Sequence, residues 1–104
     1  MKKEVELTDE VLEQAYKHSI NNQVEIQQSD TCGCFYCREI FAPSEIKTWI
    51  NDKKGKTAQC PYCMIDSVIG NASGYPINTK FLDAMHDMWF VKNNISFGKT
   101  KQKP

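Results

Sequence analysis

Two short stretches constrain this chain more than anything else in it: Cys34-Phe35-Tyr36-Cys37 and, after a further twenty-two residues, Cys60-Pro61-Tyr62-Cys63. A Cys-x-x-Cys pair turns in a tight knuckle whose sulfurs converge on one point, and two such pairs supply the four thiolates of a tetrahedral zinc site. The segment between them is long enough to return the chain without strain. The spacing therefore predicts one structural Zn2+ held by Cys34, Cys37, Cys60 and Cys63, in a four-cysteine module covering residues 32–70. A metal also answers a need of a 104-residue chain, because small cores are marginal. Zinc binding in small modules supplies about 10–16 kcal/mol, as much as the whole stability of a typical domain, about 5–15 kcal/mol.

The cysteine count is odd, five in all, and the paired spacing fits reduced thiolates on a metal better than a disulfide framework. Cys32 is the thiol left over. It reads as a small buried residue beside the site, with redox exchange against a ligand as its sharper alternative. His18, on the polar side of the first helix, is the alternative fourth ligand. No apolar run reaches the roughly 18–20 residues of a membrane span, and no apolar stretch follows the first lysines as in a signal peptide, so a cytoplasmic location is expected.

Along the chain, Thr8 reads as the N-cap of a helix running to about Ile20, with Asp9 and Glu10 where the helix dipole favours negative charge. Val24 and Ile26 alternate, which predicts a short strand or extended connector over residues 23–30. Pro43 followed by Ile46, Trp49 and Ile50 predicts a two-turn helix over 43–50, and Thr57 to Gln59 a brief extended run. Pro61, Met64, Ile65, Val68, Ile69 and the closing Gly70 predict a helix that begins at the metal and places Cys63 at its positive end. Arg38 is a further candidate to offset the site's negative charge. Asn71 to Pro76 is a loop, and Asn78 caps a final helix whose broad face of Phe81, Leu82, Met85, Met88, Trp89 and Phe90 reads as core. The expected domain is residues 1–97, and residues 98–104 form a basic, disordered tail.

Net charge is zero but unevenly spread: residues 1–30 sum to −4, residues 31–91 balance, and the last thirteen residues sum to +4. An acidic head and zero net charge argue against a dedicated nucleic-acid binder. The turn bearing Lys53, Lys54 and Lys56, with the lysine-rich tail, leaves a local contact to phosphate open.

Over residues 32–70 the pattern of a knuckle, a returning segment and a second pair at a helix start resembles the treble-clef and zinc-ribbon modules. That resemblance implies metal and no one activity, since such modules serve in ribosomal proteins, transcription factors, adaptors and nucleases. Cys-Gly-Cys-Phe-Tyr-Cys (32–37), Cys-Pro-Tyr-Cys (60–63), Ile-Asp-Ser-Val-Ile-Gly (65–70) and Ser-Gly-Tyr-Pro-Ile (73–77) together look like a family of small, uncharacterised bacterial cytoplasmic proteins, which carries no activity over to this chain.

Enzyme readings fit less well. Cys60-Pro61-Tyr62-Cys63 is similar to the glutaredoxin active site, yet the stretch before it, Lys53 to Gln59, is no hydrophobic strand. His-Me finger nucleases place a catalytic histidine between comparable Cys pairs, and His18 and His86 both lie elsewhere. Zinc deaminases need a His-x-Glu absent from this sequence. Rubredoxins resemble the two Cys-x-x-Cys loops but usually carry Gly after each pair, where Arg38 and Met64 stand here. The sequence thus points to a small α+β protein, a treble-clef-like zinc centre with an amphipathic helix from each end packed on it, that binds another macromolecule. A protein partner is favoured, nucleic acid is the alternative, and a thiol-redox or nuclease-type enzyme is the third reading.

Overall fold

In the computed structural model, residues 6–92 are described; the basic tail 98–104 lies outside them. Thr8 opens helix α1 (Asp9–Tyr16) by accepting the Val11 N–H at 3.2 Å, as its sequence position predicts. The helix tightens into a 3-10 turn, Lys17–Ser19, before the chain reverses. A short helix α2 (Gln23–Gln27) follows where a short strand or extended connector was expected. The reason lies in the two apolar residues: helical geometry points Ile26 into the core and leaves Val24 67% exposed, whereas a strand would put both on one face.

Strand β1 (Cys32–Cys34) leads into the first knuckle and β2 (Ile40–Phe41) returns antiparallel beside it. The helix expected over 43–50 is replaced by a 3-10 turn, Pro43–Glu45, and strand β3 (Trp49–Asp52). Glu45 closes that turn by accepting the Ala42 N–H at 3.0 Å, and the bulky pair Trp49-Ile50 extends to face Ala58 and Thr57 of β4 (Gly55–Ala58). Lys53 and Lys54 form the two-residue connection of this hairpin.

The helix expected from Pro61 to Ile69 is also absent. Residues 61–63 form a turn, and β5 (Val68–Gly70) pairs antiparallel with β1 on the side opposite β2. Met64 carries a φ of 69°, and a left-handed residue ends any helix immediately after Cys63. Gly70 ends in the sheet rather than at a helix C-terminus. Asn78 then caps α3 (Thr79–His86) by accepting the Phe81 N–H at 2.8 Å, and α3 continues as a π-helical segment, Asp87–Lys92.

The sheet β2-β1-β5 separates two apolar clusters. Leu12, Ala15, Phe35, Ile69, Phe81, Leu82, Met85 and Met88 fill the side of α1 and α3. Ile26, Cys32, Cys34, Phe41, Ile46, Ala58, Cys60 and Val68 fill the other side, under α2 and the β3–β4 hairpin. Strand alternation makes the partition: Cys32, Cys34 and Val68 face one way, Phe35 and Ile69 the other. Among the described residues no helix is long and apolar enough to cross a membrane.

Candidate metal centre

Both knuckles are built by one hydrogen-bond scheme. In the first, Cys34 donates its N–H to Glu39 O, its carbonyl accepts the Arg38 N–H at 2.7 Å, and its sulfur accepts the Tyr36 N–H at 3.3 Å. In the second, Cys60 donates to Ile65 O, its carbonyl accepts the Met64 N–H at 2.9 Å, and its sulfur accepts the Tyr62 N–H at 3.3 Å. Each loop closes through a left-handed residue after its second cysteine, Arg38 at φ 68° and Met64 at φ 69°. Glycine enters that region freely; any other side chain there costs about 1–2 kcal/mol.

The two loops bring Cys34, Cys37, Cys60 and Cys63 together so that all four sulfurs lie within 4.8 Å of one another. The close pairs join one knuckle to the other: Cys34 to Cys63 at 3.7 Å and Cys37 to Cys60 at 3.6 Å. A tetrahedral ion with Zn–S bonds near 2.3 Å separates its sulfurs by about 3.8 Å, so the spacing suits such an ion. Disulfide bonding needs about 2.05 Å, and all five thiols are free.

Burial raises the Cys34 thiol well above its ordinary pKa, and backbone N–H groups of Cys37 and Tyr36 pull partly the other way. Burial likewise pushes Cys63 up to about 12, against an N–H bond from Ile65. These N–H groups come from the knuckle turns. The helix dipole expected to act on Cys63 does not exist, and Arg38, expected to offset the site's charge, instead pairs with Asp83 at 3.6 Å.

The remaining sequence candidates lie apart from the four sulfurs. Cys32 sits one strand repeat before Cys34, fully buried in the same cluster, and burial pushes its thiol up to about 12. His18 places Nδ1 2.9 Å from Glu25 Oε1, with its ring edge toward Tyr75. Lys53, Lys54 and Lys56 are exposed on the β3–β4 hairpin.

Asn22, two residues beyond the expected end of the first helix, links β4 and β5. Its buried amide donates to Val68 O at 2.8 Å and His18 O at 2.9 Å and accepts the Ala58 N–H at 3.1 Å. That ties β4, two residues before Cys60, to β5. No periodicity or motif announces such a residue, since its two partners on the strands lie thirty-six and forty-six positions away.

The chain matches no model of a known protein family, no curated protein and no solved structure.

Proposed function

We propose that this protein is a small structural-zinc module whose task is to bind another macromolecule, with a protein as the favoured partner. The observation that carries the reading is the convergence of four thiols within 4.8 Å of one another. Four thiolates saturate a zinc ion and leave no position for a reacting water, which separates a structural site from a catalytic one. The two knuckles and the three-stranded sheet, without a helix after the second pair, favour the zinc-ribbon side of the resemblance over the treble clef. Native mass spectrometry of protein purified without added metal or chelator tests the reading. One zinc per chain is the expected result, whereas metal-free protein or a coloured iron form would overturn it.

Nucleic acid is the second reading, supported by three exposed lysines on one hairpin. Its signature is an affinity for mixed-sequence RNA or DNA that falls steeply with salt and is lost when Lys53, Lys54 and Lys56 are neutralised.

A further inference from the structure

Four sulfurs within 4.8 Å of one another are close enough to bond among themselves as well as to an ion. Two contacts cross from one knuckle to the other: Cys34 to Cys63 at 3.7 Å and Cys37 to Cys60 at 3.6 Å. A disulfide needs about 2.05 Å, so each crossing pair has only about 1.6 Å left to close.

Burial divides each pair in the same way. Cys34 and Cys60 are fully buried, whereas Cys37 and Cys63 are partly exposed. Each crossing pair therefore couples a thiol that a small oxidant reaches with one that it does not, the relation of an attacking cysteine to a resolving one. A pairing within one knuckle would also join a buried thiol to an exposed one, so the close crossing contacts decide. Cys32 is fully buried and stands outside the group of four, which leaves it without a part in either bond.

We propose that Cys34–Cys63 and Cys37–Cys60 are the two disulfides this protein forms with a hydroperoxide, and that they keep the knuckles joined without a metal. The sulfur of Cys37 or Cys63 attacks one peroxide oxygen, the O–O bond breaks, and water or an alcohol leaves a sulfenic acid on the cysteine. The sulfur of the buried partner then attacks that sulfenic sulfur. The S–O bond breaks, and the hydroxyl leaves as water with the partner's proton. Each pair gives up two electrons and two protons, and one peroxide takes them. The inference goes beyond the zinc-module reading and rests on the four sulfurs alone.

The test treats the full-length, reduced protein, as purified, with a small excess of hydrogen peroxide, then alkylates it in denaturant. Four of the five thiols should be lost, leaving Cys32 to alkylate. Chymotrypsin cuts after Tyr36 and Tyr62 and so separates the two cysteines of each knuckle. Tandem mass spectrometry should then find Cys34 bonded to Cys63 and Cys37 to Cys60, with alkylated Cys32 on the Cys34 fragment. Bonds within the knuckles, Cys34–Cys60 with Cys37–Cys63, or any bond to Cys32 would overturn the proposal. So would sulfinic or sulfonic acid at Cys37 and Cys63 without disulfides, or no oxidation at all. The same chain oxidised in urea should give mixed pairings; the crossing pairs alone would show that the fold does not direct them and would overturn it too. In chelator, the oxidised chain should melt at a higher temperature than the reduced one, because both bonds tie residues far apart in sequence. An equal or lower melting temperature would overturn the claim that the bonds keep the knuckles joined. Metal content is measured separately: crossing disulfides in a protein purified without zinc would sink the zinc reading and leave this inference standing, and the reverse outcome would do the opposite.

Discussion

Asn22 holds three backbone groups with one amide, and two of them, the Val68 carbonyl and the Ala58 N–H, are bonded to it in the buried interior. Asn22→Ala strands the Val68 carbonyl and the Ala58 N–H, so a loss of about 2–4 kcal/mol is expected. Urea unfolding of the zinc-loaded protein would show it as a lower midpoint; a change under about 0.5 kcal/mol would place the brace elsewhere. The ligand thiols make a second expectation. A thiol is already protonated at neutral pH, and burial pushes Cys34 and Cys63 further that way when no metal is bound, so a metal must displace those two protons. Apparent affinity should then rise about a hundredfold per pH unit from these two alone, and weaken in acid. Proton release on zinc addition in a weakly buffered solution measures the number directly. Cys32 acts with the opposite sense on stability. A folded-state pKa raised from 9.0 to about 12 gives a contribution present below pH 9 and lost as pH climbs toward 12.

Among the elements, the ends of the described chain follow local rules and the middle does not. Thr8 and Asn78 cap their helices through short-range hydrogen bonds that the sequence shows openly. Residues 43–50 and 61–69 have helix-like apolar spacing, yet each ends in a strand whose partner comes from elsewhere: β4 for Trp49 and Ile50, β1 for Val68 and Ile69. The close approach of elements shows at Gly70 in β5. A Cβ there would collide with the Ser29 hydroxyl and stand 2.8 Å from Ser29 Cβ, and that hydroxyl links Glu25 O to the Ala72 N–H. Gly33→Ala meets Leu82 Cδ1 at 2.8 Å and Ile77 Cγ2 at 2.9 Å instead; the Leu82 methyl is the far end of its side chain and can shift, while the Ile77 methyl moves only with χ1. Gly70→Ala should therefore be the more destabilising, by about 2–3 kcal/mol. Thermal melts of the two variants side by side would decide, and the reverse order would show that Ser29 yields more easily than the Leu82 and Ile77 side chains.

Two clusters share one thin sheet, and each holds one tryptophan. Trp49 packs on the cysteine-bearing cluster, while Trp89 stacks on Tyr16 at 4.3 Å and donates to Leu12 O at 3.3 Å on the helical side. The cysteine-bearing side contains Cys34 and Cys60, so an ion held by the four thiols would tie its packing to the two knuckles. Chelation should shift the emission of Trp49 to the red, read in a Trp89→Phe variant, before the emission of Trp89 changes in a Trp49→Phe variant. Simultaneous and equal shifts would mean that the metal supports both sides alike, through the shared strand β1.

Spacing alone determined which four cysteines meet. A Cys-x-x-Cys pair closes through bonds inside one loop, and two such loops leave little choice about what they hold. Helix caps were legible for the same reason: the interacting groups lie within three residues of one another. Tertiary structure alone decided the rest. Whether Val68 and Ile69 form a strand, and whether Asn22 braces a sheet, both depend on residues far along the chain. The left-handed turns at Arg38 and Met64 belong to the same class, because the closure of each knuckle imposes a conformation that neither side chain prefers.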